Sequence, residues 1–239
     1  MDNKVHLKVF GRYALFTDPL TRIGGEKFSY QIPTYEALKG ILESVYWKPT
    51  FTWVIDRARV LKAIRMQAKG TKPLNYNNDE HDLAIYTYLY DVEYQVEAHF
   101  EWNQHRTDLQ ADRNENKHFF VAKRMIERGG RRDVFLGTRE CQGYIEPCDF
   151  GSEQGYYDNY GELAFGLMLH GFDYPSDLGK NELQVRFWHP KLIDGVINFA
   201  RPADCPVRRR VKSMPYRKPA AVTLGADQTI AELLQEEGR

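Results

Sequence analysis

The chain has 239 residues, 42% of them hydrophobic and 28% charged, with equal numbers of acidic and basic side chains. That mixture fits a globular protein of one large domain or two small ones, and the zero net charge removes any whole-chain electrostatic case for a nucleic-acid partner. Cys141, Cys148 and Cys205 are odd in number and form no Cys-x-x-Cys pair, which supports neither a disulfide framework nor a zinc site, and no stretch reads as a signal peptide or a bilayer span. A cytoplasmic protein with no membrane partner is the expectation.

Taken in chain order, "KVHLKVF" (4–10) alternates polar and apolar residues and reads as a half-buried strand. After a loop rich in Pro and Gly, Thr34 is placed to cap a helix running to about Trp47. Leu38, Ile41, Leu42 and Val45 share one face of it, and Pro49 lies beyond its end. Residues 50–66 read as one or two strands, and "LAIYTYLYDVEYQVEAHFEW" (83–102) as two more, paired with each other. "HFFVAKRMIERGG" reads as a second helix, stopped by Gly129-Gly130. "DVFLGTRECQGYIEPCDF" supplies a further strand or hairpin.

The order strand, helix, strands, helix, strand over residues 1–150 predicts an α+β protein with a ferredoxin-like (RNA-recognition-like) N-terminal domain. Past the turn-rich "FGSEQGYYDNYGE", three helix-free stretches starting near residues 163, 182 and 195 predict a small C-terminal antiparallel β-sheet over 151–218. The acidic 219–239 forms a tail. Aromatic residues make up 13% of the chain; a strand-rich core accounts for them, and stacking platforms for nucleobases are the alternative use.

That topology brings the end of the first helix to the start of the second, so Tyr46 is expected to meet Lys117 and His118. Tyr46 lies on the border of its apolar stripe, with its hydroxyl facing out. The segment "DRNENKHFF" (112–120) puts Lys117 and His118 where the helix dipole disfavours positive charge, and where unpaired N–H groups favour an anion such as phosphate. His118 also falls within the apolar arc of Val121, Ala122, Met125 and Ile126, which points it partly toward the core. A lysine charge, a histidine that titrates near neutrality and a phenol make a set able to assist attack by an RNA 2′-hydroxyl on its own phosphate, without a metal. DNA lacks that nucleophile. The acids beside His81 in "NNDEHD" (77–82) read as a loop rather than a metal site, and no cofactor is expected. Gly129, Gly130, Arg131 and Arg132 form a second anion-friendly element. Arg208, Arg209 and Arg210, with Lys212, form the densest basic run, suited to RNA or a partner protein.

Several stretches together resemble one family. "YALFTDPLTRIGGEKFSYQIPTYEALKGILESVYWKPT", "DRNENKHF", "GGRRDVFLGTRECQGYIEPC" and "RPADCPV" are similar, in order, to the subtype I-C branch of the Cas-five family of CRISPR-associated proteins. The resemblance runs to about residue 210. It implies a metal-independent endoribonuclease that cuts CRISPR repeat RNA in a precursor transcript. The product would keep the guide's 5′ handle bound within a type I-C interference complex of several subunits. The family's catalytic tyrosine, lysine and histidine fall on Tyr46, Lys117 and His118, and its glycine-rich loop on residues 129–132. On those residues the expected roles are His118 as the acid or base, Lys117 stabilising transition-state charge, and Tyr46 orienting or helping to deprotonate the 2′-hydroxyl. A non-catalytic RNA-holding subunit, the role of most of the wider family, is the rival reading. A metal-dependent nuclease stands third.

Overall fold

A computed structural model describes residues 3–19, 21–74, 81–175 and 180–215. The expected 219–239 tail and most of the 77–82 acidic run lie outside the described residues. The elements, in order, begin with β1 (Val5–Ala14), β2 (Lys27–Phe28), α1 (Tyr35–Val45), β3 (Phe51–Val60), β4 (Met66–Thr71) and β5 (Ala84–Trp102). There follow α2 (Glu115–Glu127), β6 (Val134–Phe135), β7 (Gln142–Pro147), β8 (Glu162–Ala164), β9 (Met168–Asp173) and β10 (Glu182–Trp188). The last are β11 (Lys191–Ile193), β12 (Val196–Asn198) and β13 (Val207–Ser213).

The fold is α+β and mostly antiparallel. The larger sheet runs β6-β7-β1-β5-β3-β12-β11-β8, with β2 and β4 also paired to β5. The smaller runs β13-β10-β9. The chain differs here from the sequence expectation in two ways. Residues 84–102 form one strand of 19 residues, not a pair. No Gly, Pro or turn dipeptide interrupts them. Their only break is Asp91, held at a φ of 54° with its carboxylate on Lys62 (2.7 Å) and Arg65 (2.6 Å). The strand bends there without reversing: its first half pairs with β4, and its second half lies between β1 and β3. In the C-terminal third, the expected three-stranded sheet takes the basic stretch of β13 as its third strand. The 195–202 stretch instead gives β12, which pairs with β3 and extends the large sheet. Alternation alone does not say which sheet a short strand joins.

Helix α1 forms as its pattern requires. Thr34 caps it, its Oγ1 accepting from the Ala37 N–H at 3.2 Å. Its buried face of Tyr35, Leu38, Ile41, Leu42 and Val45 packs against the large sheet, each side chain contributing about 1.5–3 kcal/mol. Tyr46 is already extended (φ −158°) and ends the helix; its carbonyl accepts the indole N–H of buried Trp53 at 2.8 Å. Helix α2 ends at the expected glycines. The Gly130 N–H reaches the Met125 carbonyl (2.8 Å) and the Gly129 N–H the Ile126 carbonyl (3.0 Å), with both glycines at positive φ. That is a Schellman stop, a conformation side chains resist. No helix among the described residues is long and apolar enough to cross a membrane.

Candidate active site

The start of α2 lies three residues before the expected point. A short 3-10 turn, Thr107–Asp112, delivers the chain to Asn114, whose Oδ1 accepts from the Lys117 N–H at 3.0 Å and caps the helix. Lys117 and His118 therefore occupy the third and fourth helical positions. The fourth faces the sheet: His118 is 0% exposed, whereas the Lys117 side chain is 54% exposed.

The expected meeting takes place. The Tyr46 hydroxyl lies 2.8 Å from His118 Nδ1, across 72 residues of chain. Around the imidazole stand Phe51, Phe100 and Trp102, with ring centroids at 5.2, 6.3 and 5.7 Å. The hydroxyl expected to face solvent turns inward to the histidine, and Tyr46 keeps only 5% of its surface open. Burial raises the Tyr46 pKa above its ordinary value, the Asp112 charge adds to that, and Arg131 opposes it.

Asp112 is the member that sequence reasoning missed. Its carbonyl lies 2.8 Å from His118 Nε2. Its carboxylate accepts from Lys117 Nζ at 2.5 Å and from the Thr50 hydroxyl at 2.8 Å, and stands 3.4 Å from His118 Nε2. The hydrogen bond from Lys117 is the largest reason its pKa is held below the ordinary carboxylate value. This carboxylate also answers the positive charge at the helix start. A signal was present: Asp112 stands two residues ahead of the cap, where an acid complements the dipole.

The other expected residues fall in two places. Arg131 and Arg132 are exposed beside a hollow of about 280 Å³ that Gly129, Gly130, Tyr144 and Gln142 also line. The backbone N–H of Arg132 donates to the Ser44 carbonyl at 3.2 Å, which ties this loop to the end of α1, two residues from Tyr46. Arg208, Arg209 and Arg210 lie on β13, the edge of the small sheet. Arg208 is half-buried, bonded to the Pro202 carbonyl and 3.9 Å from Asp173; Arg210 lies 3.7 Å from Glu182; Arg209 is exposed. Among the described residues, none of the three hydrogen-bonds or ion-pairs with Tyr46 or His118. Among the described residues no group of three or more His, Cys, Asp or Glu side chains is gathered as a metal would need.

The mostly antiparallel α+β fold is similar to that of solved CRISPR-associated proteins. One solved relative, titled as the crystal structure of a CRISPR-associated protein, is 33% identical, with a TM-score of 0.71 over 86% of this chain and 96% of its own. A second, the functionally uncharacterized SMU1763c from Streptococcus mutans, is 34% identical with a TM-score of 0.69 over the same shares. Within that class the chain belongs to the Cas5d family: the family model, a CRISPR-associated protein (Cas_Cas5), matches residues 5–200. Two curated relatives are named CRISPR pre-crRNA endoribonuclease Cas5d. That of Thermus thermophilus is 30% identical over 77% of this chain and 79% of its own length. That of Mannheimia succiniciproducens is 28% identical over 83% and 95%.

Proposed function

We propose that the chain is an endoribonuclease that cuts CRISPR repeat RNA by attack of a 2′-hydroxyl on the adjacent phosphate, without a metal, and then stays on the guide's 5′ handle in a type I-C complex. The observation that carries this reading is the Tyr46–His118 pair at 2.8 Å, set beside an exposed lysine at a helix start. The names of the two curated relatives support the same reading. Lys117 meets the scissile phosphate and stabilises charge on the phosphorane-like transition state. Tyr46 meets the 2′-hydroxyl, with His118 as its proton partner. The products are a 2′,3′-cyclic phosphate and a 5′-hydroxyl.

The fold is read here as ferredoxin-like at the N-terminus. The order β7-β1-β5-β3 supports this, with α1 and α2 meeting at the site. Residues 1–150 would carry the chemistry and 151–218 extend the RNA or partner surface. In this reading Gly129, Gly130, Arg131 and Arg132 grip backbone near the cleavage point, and Arg208, Arg209 and Arg210 bind RNA or a neighbouring subunit.

One observation favours the rival, a subunit that holds RNA without cutting it. His118 is fully buried with both ring nitrogens engaged, as a structural histidine would be. A single 2′-deoxy nucleotide 5′ to the scissile phosphate separates the two. Cleavage of the all-ribose repeat and its loss with the deoxy substitution, in the presence of chelator and with binding retained, is the expected result. An uncut ribose repeat would establish the rival, and cleavage of the deoxy RNA at that bond would sink the mechanism.

A further inference from the structure

We propose that Asp112 is a positioning residue of this site: it holds the buried His118 as a proton acceptor for Tyr46, so that Tyr46 and Lys117 touch the RNA and His118 does not. The inference rests on the cleavage reading above and assigns its inner partner.

A carbonyl oxygen can only accept, so the 2.8 Å contact with the Asp112 carbonyl puts the ring proton on Nε2. Nδ1 is then left with a lone pair, and the Tyr46 O–H donates to it at 2.8 Å. The phenol proton points inward, and the oxygen keeps a further lone pair that can accept a proton. At 0% exposure, the imidazole offers no surface to an RNA atom.

The groups facing the ring from every side are few. The end of α1 contributes Tyr46, and the 3-10 turn contributes Asp112. Lys117 is its chain neighbour, and β3 and β5 contribute the aromatic Phe51, Phe100 and Trp102. Arg131 acts on Tyr46 from outside. Against those apolar walls, the Asp112 carboxylate at 3.4 Å is, among the described residues, the negative group placed to stabilise an imidazolium. The same carboxylate holds Lys117 at 2.5 Å, so one side chain sets both the inner acceptor and the outer cation.

The step balances. The 2′-hydroxyl gives its proton to the Tyr46 oxygen as that oxygen passes its own to His118 Nδ1. The 2′ oxygen bonds to phosphorus, and the P–O5′ bond breaks with its electron pair on O5′. O5′ then takes a proton from the Lys117 ammonium. Water reprotonates Lys117 and receives the His118 proton back through Tyr46.

Asp112→Asn in the full chain tests this, because the amide oxygen still accepts from Thr50 while the charge is gone. Repeat-RNA cleavage should fall roughly 10- to 100-fold, as when an outer partner is lost. The acid limb of the pH–rate profile should also move to lower pH, since the imidazolium has lost its counter-charge. A lower rate with an unmoved limb would mean a merely structural role and overturn the proposal. An unchanged rate would do the same. Adding Asp112→Asn to a Lys117→Met chain should slow cutting further; no added loss would mean that Asp112 works only by holding Lys117. A readout apart from activity is nitrogen NMR of labelled histidine in the native chain and in Asp112→Asn. His118 should show the Nε2–H tautomer, with its titration midpoint lower in the variant. The other tautomer or an unmoved midpoint overturns the proposal even in a chain that cuts well. A chain that shows the expected NMR yet cuts no RNA overturns the cleavage reading alone.

Discussion

His118 and His170 are both fully buried, yet their surroundings make them different groups. His170 stacks on Tyr35 at 4.2 Å, donates from Nε2 to the Ala200 carbonyl at 2.8 Å, and receives the Arg186 Nε–H on Nδ1 at 3.3 Å. Its neighbouring charge is a guanidinium, itself held by Asp173. Burial first, and then the charges of Arg186 and Arg208, push the His170 pKa down to about 4. It is a neutral packing group that braces the small sheet against α1. His118 also has a backbone carbonyl on Nε2, that of Asp112, but a phenol on Nδ1 and a carboxylate beyond. Equal burial does not make the two histidines alike; they differ in the partner of the second nitrogen and in the sign of the nearest charge.

The largest expected effect sets the two side by side. His118→Gln should lower repeat-RNA cleavage by about 10²–10⁴-fold, the range of a lost general acid–base partner. His170→Gln should leave the single-turnover rate within about twofold at neutral pH, since no step uses it. Equal losses in the two variants would erase the distinction.

A smaller effect concerns acid. His170 binds its proton only at about pH 4 in the folded chain, against its ordinary 6.5, so between those values the unfolded state takes up protons that the native state refuses. Stability should therefore fall as pH drops from about 6.5 to 4, by up to about 3 kcal/mol from this group. Urea melts of His170→Gln should lack that part of the slope. His99, whose pKa is raised chiefly by its hydrogen bond to Asp56, has the opposite sign, and its contribution fades as pH rises past its ordinary 6.5. The difference between native and variant melts isolates His170.

The smallest is the cap that presents His118. Asn114→Ala removes the acceptor of the Lys117 N–H and should cost about 1 kcal/mol in chemical denaturation. It should slow cleavage more than that stability loss explains, because the frayed turn carries Lys117 and His118.

Local chemistry was the legible part of this molecule. Thr34 and the Gly129-Gly130 stop satisfy backbone groups within a few residues, and the α1 stripe repeats within about three turns, so a short window contains the whole cause. The Tyr46–His118 meeting was legible through topology, and the inward tilt of His118 through its helical wheel. What escaped depended on contacts far apart in sequence. The unbroken β5 is stabilised at its bend by Lys62 and Arg65, 29 and 26 residues away, and β12 joins the large sheet through β3. Asp112 was only half legible: its place ahead of the cap was visible, but only the folded chain sets its carboxylate among Thr50, Lys117 and His118.

The basic edge of the small sheet has a consequence for how this chain behaves in company. An open edge strand offers unpaired backbone groups to any other strand, including a second copy of itself. On β13 that edge carries Arg208, Arg209, Arg210 and Lys212 in a row. Two such edges approaching each other meet like charge against like charge, so the sheet resists growing by self-addition. An acidic strand or a polyanion would meet no such barrier at that edge.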